Sequence, residues 1–128
     1  MKQILVLLLL INSVLLSENL RLVAGFYDNR MPRTIYTYKE FDDKLELRSS
    51  TEYYENGQKS YEVIYRDGLR SKKIWWYDNG NKKKRITYKD GKLDGHWVTW
   101  NYDGNMEMEK LYKNGSLIEE RSIIQQHQ

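Results

Sequence analysis

Between Tyr53 and Gly115 apolar or aromatic residues alternate with polar ones at a period of two, in short runs separated by Asn-Gly or Asp-Gly. Strict alternation of this kind predicts half-buried β-strands rather than helices. With Tyr65, Tyr88 and Tyr112 as markers, one strand face reads Tyr61, Val63, Tyr65, then Lys84, Ile86, Tyr88, then Met108, Lys110, Tyr112. The opposite face reads Ser60, Glu62, Ile64, then Lys83, Arg85, Thr87, then Glu107, Glu109, Leu111. The pattern predicts a sheet with one aromatic and apolar side and one mostly charged side, on which Glu107 and Glu109 are placed to pair across strands with Lys83 and Arg85.

The punctuation is as regular as the strands. Seven of the eight glycines are preceded by Asn (Gly57, Gly80, Gly115) or Asp (Gly68, Gly91, Gly95, Gly104). These dipeptides accept positive φ at both central positions of a type I′ turn, whose twist suits an antiparallel hairpin. The steps Gly57 to Gly68, Gly80 to Gly91 and Gly104 to Gly115 are each 11 residues, and the intervening steps are 12 and 13. Gly57, Gly68, Gly80, Gly91, Gly104 and Gly115 are therefore the expected turns of an all-β, single-layer antiparallel meander of hairpin repeats. The 13-residue step, together with Asp94-Gly95, predicts a β-bulge that re-aims a ring.

An earlier, decayed copy is marked by Tyr27 and Tyr38, again 11 residues apart but without glycines. The offset from Tyr27 to Tyr54 is 27 residues, which places an insertion or irregular connection within 42–52. After Ser116, the apolar Leu117, Ile118, Ile123 and Ile124 predict a closing strand or short helix with a loose end.

Residues 1–17 carry Lys2 and then an apolar run from Ile4 to Leu16 broken only by Asn12 and Ser13, the form of a secretory signal peptide. Small residues allow cleavage after 17 or after 25. The resulting division is a signal-peptide helix within 1–25, a degenerate first repeat or cap over 26–52, the repeat sheet over 53–115 and a cap or tail over 116–128. An exported location follows, whether periplasmic, envelope-associated or secreted.

The chain of 128 residues has one Pro and no Cys, so a single domain must be held by packing alone. Its 11 Tyr and 4 Trp suit strands and binding surfaces. The formal charge is +3, and +2 once residues 1–25 are removed. The basic run Lys82 to Arg85 is divided by alternation, Lys82 and Lys84 to one side and Lys83 and Arg85 to the other, so no nucleic-acid surface is expected. With Lys72 and Lys73 at the same end of the sheet, a modest surface for an acidic partner remains.

His96 and His127 are the only histidines, and they make no metal constellation. No nucleophile, base and orienting group assemble, so no catalytic residue, metal, cofactor or small-molecule substrate is inferred. Asn114-Gly115-Ser116 matches a glycosylation sequon but coincides with a turn. The candidate binding residues are aromatic: Trp75, Trp76 and Tyr77, with Trp76 facing away from its neighbours, and Trp97, Trp100 and Tyr102 one repeat later. Two readings stand for them, cross-strand packing of a thin sheet and a strip that contacts a partner or glycan-like ligand.

At "YKDGKLDGHWVTWNYDGN", Tyr88 to Asn105, the sequence resembles the MORN repeat, and "YENGQK", "YDNGNK" and "YKDGKL" are similar to its bacterial variant form. Lys72 and Ile74 depart from the third repeat's Gly95 and Trp97. The resemblance implies an elongated single-layer sheet that contacts proteins or membrane surfaces, with no shared catalytic residues. Some bacterial chains of this variant are described as antitoxins. The expected function is an exported, non-enzymatic repeat module that binds a protein partner; the alternative is an antitoxin or immunity protein that neutralises a specific toxin.

Overall fold

A computed structural model describes residues 19–123 of the chain. The proposed signal-peptide helix, up to residue 18, and the end of the tail, from residue 124, lie outside the described residues. Nine strands follow one another: β1 (Leu20–Val23), β2 (Thr34–Phe41), β3 (Lys44–Tyr53), β4 (Lys59–Arg66), β5 (Leu69–Trp76), β6 (Lys82–Lys89), β7 (Lys92–Trp100), β8 (Met106–Lys113) and β9 (Ser116–Ser122). They form one open sheet in sequence order, every neighbouring pair antiparallel. This is the predicted meander, and the segment after Ser116 is a strand rather than a helix. Leu20–Val23 is the first edge strand, so cleavage after residue 17 retains it and cleavage after residue 25 removes it.

A single layer has no second sheet to pack against, so its core is divided between its two sides. Across one side runs a register row of Ile35, Thr51, Glu62, Ile74, Arg85, Val98, Glu109 and Arg121. Ile35, Thr51, Ile74 and Val98 in that row are buried. Arg85, the one residue between Ile74 and Val98 in the row, has a long stem able to supply methylene cover that a facing layer would otherwise give. On the other side Val63 and Ile86 are buried, separated in the register by Lys73.

The turns differ from the uniform type I′ expectation and fall into two kinds. Asp67-Gly68, Asp90-Gly91 and Asn114-Gly115 have positive φ at both positions, 51° and 75°, 49° and 78°, 48° and 87°, as type I′ requires. At Gly57, Gly80 and Gly104 the glycine alone is left-handed, at 84°, 89° and 88°. There the turn is longer: Gly57 N donates to Tyr54 O at 2.9 Å and Tyr54 N to Gln58 O at 2.8 Å, with the same pair of bonds at Tyr77 to Asn81 and Asn101 to Asn105. Asn-Gly permits positive φ at both residues without demanding it, and the number of residues between the strands decides which turn forms.

The decayed first copy keeps both turns without glycine. Arg30 takes the left-handed place at φ 65°, and Asp42-Asp43 makes the two-residue turn at φ 48° and 57°. Residues 42–52 therefore hold a two-residue turn and most of β3, and part of the irregularity expected there lies in that strand. The extra length is spread between the stretch before β2, where Phe26 bridges Pro32, and β3, which has 10 residues and a register shift opposite Thr37/Tyr38.

The longer turns line one long edge of the ribbon and are bonded to one another. The Tyr27 hydroxyl donates to Tyr53 O at 2.7 Å, that of Tyr54 to Trp76 O at 2.8 Å, and that of Tyr77 to Trp100 O at 3.0 Å. Two residues on, the amides of Asn29, Asn56 and Asn79 donate to Glu55 O, Asp78 O and Tyr102 O at 2.8–3.0 Å. Each tyrosine thus ties its own turn to the next repeat. The ladder stops at Asn101, which stands where the other turns have tyrosine and accepts from Asn105 N within its own turn at 2.9 Å.

Candidate functional site

The register sets which of the predicted aromatic residues meet. Directly opposed residues share a face of the sheet. Tyr61 opposes Trp75, Trp75 opposes Lys84, Ile86 opposes Trp97, Trp97 opposes Lys110, Tyr88 opposes Leu93 and Tyr112 opposes Leu117. All lie on the side of Val63 and Ile86, here called the tyrosine face. Trp75 and Trp97 are therefore neighbours, two strands apart.

A charged side chain links them. Lys84 Nζ lies 4.2 Å from the centre of the Trp75 ring and 6.0 Å from that of Trp97. Tyr61 packs on Trp75 with centroids 4.9 Å apart, and Tyr112 on Trp97 at 6.1 Å. The result is a stripe Tyr61, Trp75, Lys84, Trp97, Tyr112 that crosses β4 to β8. Lys73 Nζ stands 5.8 Å over the Tyr88 ring beside it. Cation–π contacts of this sort contribute about 0.5–1 kcal/mol each at exposed positions. The rings pack across strands, as one of the two sequence readings expects, and Trp75 and Trp97 remain half-exposed.

Burial raises the Tyr61 hydroxyl above the ordinary phenol range, with Tyr65, Tyr88 and Glu52 adding to the effect, and burial likewise raises Tyr88. These phenols stay protonated and available as hydrogen-bond donors on the face.

Trp76 and Trp100 are separated from this stripe by alternation and lie on the opposite side. Lys59 Nζ is 5.3 Å from the Trp76 ring, and the Arg85 guanidinium 5.8 Å from Trp100. The expected grouping of Trp97 with Trp100 does not form, because three residues along a strand reverse the direction of the side chain. Tyr77 and Tyr102 pack edge to face at 5.2 Å on the longer-turn edge, where the Tyr102 hydroxyl donates to Asp78 Oδ1 at 3.0 Å. The six aromatics named from sequence therefore occupy three places.

The anticipated bulge is present. Ile86 opposes Trp97 while Tyr88 opposes Leu93, so β7 carries two residues more than β6 across this interval. Gly95 sits at φ 94° with Thr87 Oγ1 only 2.5 Å from where a β-carbon would stand. The even number of extra residues keeps Trp97 on the tyrosine face.

The basic run is divided much as expected, Lys84 over the tyrosine face and Arg85 on the other. A register shift between Trp75 and Trp76 pairs Lys82 with Trp76 and breaks strict alternation at the start of β6. Glu109 does not reach Lys83 or Arg85, because β7 lies between β6 and β8. Its carboxylate instead lies 2.8 Å from His96 Nδ1 and 3.6 Å from Arg121 Nη2. These three, with Leu111 and Glu119, line a depression of about 40 Å³. That is far below the roughly 300–1,000 Å³ of small-molecule sites. Among the described residues no three His, Cys, Asp or Glu side chains gather as metal ligands.

The distribution of carboxylates was not anticipated. β5 and β6 together carry Arg70, Lys72, Lys73, Lys82, Lys83, Lys84, Arg85 and Lys89 and not one Asp or Glu. None of these cations makes an ion pair among the described residues. In β4 and β8, Glu62 and Glu109 belong to the opposite face by their pairing with Ile74 and Val98. From β4 to β8 the tyrosine face is consequently free of acid. The alternating residues of β4 to β8 carry this separation of charge, which adjacency along the chain does not display.

No curated protein matches the chain. Among solved structures it is similar to a chain in the crystal structure of accessory secretory protein 1, 2 and 3 in Streptococcus pneumoniae, with 18% identity and a TM-score of 0.48 over 82% of this chain. The present chain spans 19% of the length of that one. The MORN repeat variant matches residues 49–67, 72–90 and 93–122, three consecutive units that begin in β3 and end in β9. With the recurring turns, the tyrosine ladder and these matches over more than half its length, the chain belongs to the MORN repeat variant family.

Proposed function

We propose that this chain is an exported, non-enzymatic binding module that engages a protein partner through its tyrosine face. The observation that carries the reading is the stripe of half-exposed aromatic rings from β4 to β8, interleaved with cations and lacking any carboxylate. Tryptophan and tyrosine are among the residues most enriched in interface hot spots. The leader-like residues 1–17 support export, and the MORN repeat variant is a repeat module of a kind used in contacts with proteins or membranes.

A photo-reactive amino acid placed singly at Tyr65 and Trp97, with Ile64 and Leu111 as opposite-face controls, tests the reading in producing cells. Discrete adducts from the first pair and none from the second are expected, in the envelope or culture medium. Adducts from both faces alike, or none, would refute it. Deletion of residues 2–17 should retain the protein in the cytosol; unchanged fractionation refutes export.

A further inference from the structure

The geometry points to an extended acidic peptide, with carboxylates at alternate positions, as the occupant of the tyrosine face over β5 and β6. This rests on the binding reading above and specifies its partner. The first reason is charge. Arg70, Lys73 and Lys84 stand on or beside the face without an anionic partner among the described residues, while Lys110, at its far end, is answered by Glu120 at 3.3 Å. Arg70 opposes Tyr65 across β4 and β5, which brings it to the same side.

The second reason is spacing. Lys84 opposes Trp75, and Lys73 lies two residues from Trp75 on β5, so the two lysines are diagonal neighbours. Diagonal positions in an antiparallel pair are about 7–8 Å apart. Alternate side chains of an extended peptide repeat at about 6.6–7 Å. Two carboxylates at such positions match the spacing at which the two lysines leave the sheet, and the residue between them points away from it. The Tyr61, Tyr65 and Tyr88 hydroxyls border the track as further donors.

The third reason concerns the rings. Trp75 has the Lys84 ammonium over it and Tyr61 packed against it; Trp97 has Lys84 and Tyr112. These neighbours cover part of each ring, which disfavours a nucleobase, whose affinity for such a platform comes from stacking on an open face. A carboxylate needs only the exposed side of the ammonium, and the rings lower the local dielectric around that contact.

The test uses a fluorescein-labelled peptide of about eight residues alternating Glu and Val, long enough to cross β4 to β8 at roughly 3.3 Å per residue. Binding is read by polarisation at physiological ionic strength. Lys72 and Lys73 are adjacent and face opposite sides, so Lys72→Glu and Lys73→Glu change net charge identically. Loss of roughly tenfold or more in affinity is expected from Lys73→Glu, against less than about threefold from Lys72→Glu. Lys73→Met and Lys72→Met should repeat the contrast more weakly, should either reversal unfold the protein.

Absence of binding, equal losses from the two faces, or equal affinity for the isomer with its glutamates in one block would overturn the inference. Tighter binding of oligothymidine or of phosphatidylserine vesicles would overturn it too. Face-specific photo-adducts persisting alongside such a failure would leave the binding face standing and remove only the acidic peptide. Adducts from both faces would remove the binding face itself.

Discussion

Replacing Gly95 by Ala probes the bulge that keeps Trp97 on the tyrosine face. At φ 94° a β-carbon is strained whatever surrounds it, and here it would meet Thr87 Oγ1 at 2.5 Å and Thr87 Cβ at 3.5 Å. The left-handed backbone costs an L-residue about 1–2 kcal/mol. Forcing a methyl into occupied space adds about 1–3 kcal/mol, so the expected loss is roughly 2–5 kcal/mol. The Thr87 hydroxyl also donates to His96 O at 3.1 Å, and Thr87→Ala alone should cost about 0.5–1.5 kcal/mol.

In the double variant the methyl enters space the hydroxyl has left, so the two losses should fall short of additivity by about 1–3 kcal/mol. Urea denaturation followed by tryptophan emission measures all four corners of this cycle. Strict additivity, or a Gly95→Ala protein as stable as the parent, would refute the close approach of Thr87 to the bulge.

Three further outcomes follow from the turns and the phenols. Arg30→Gly should stabilise by about 0.5–1 kcal/mol in thermal melts, since relief of about 1–2 kcal/mol of left-handed strain outweighs the 0.4–1 kcal/mol of added chain entropy. Tyr54→Phe and Tyr77→Phe should each cost about 0.5–1.5 kcal/mol in urea, whereas Tyr65→Phe, which has no ladder bond, should cost less. The folded protein holds the Tyr61 and Tyr88 protons more tightly than the unfolded chain does, so their contribution is complete below about pH 10 and is lost as pH rises through their raised values. Ultraviolet titration should show late-ionising tyrosines whose release coincides with loss of strand circular dichroism.

Strand order, hairpin edges and the bulge were legible from glycine spacing and alternation because a meander is governed by local rules. What alternation could not supply was register. Trp97 and Trp100 look like one cluster along the chain and face opposite ways, while Trp75 and Trp97, 22 residues apart, meet over Lys84. The missing glycines of the first copy were misleading for a different reason. Arg30, Asp42 and Asp43 hold left-handed conformations that a glycine count cannot see, and Asp accepts such a conformation more readily than most residues. The tyrosine and asparagine ladder had a visible trace in Tyr27-x-Asn29, Tyr54-x-Asn56 and Tyr77-x-Asn79, but a hydroxyl that reaches the following repeat is a property of stacking rather than of any one unit.

That ladder runs along only one long edge. Opposite it, of the two-residue turns at 42–43, 67–68, 90–91 and 114–115, the last alone is tied across to a neighbouring strand among the described residues, by Gly115 N donating to Leu93 O at 2.7 Å and Asn114 N to Asp94 Oδ2 at 3.1 Å. The ribbon is built like a fan riveted along one side and pinned at a single further point: its pleats have fewest ties near Asp67 and Asp90, so any spreading of the sheet should begin at the ends of Tyr65 and Tyr88.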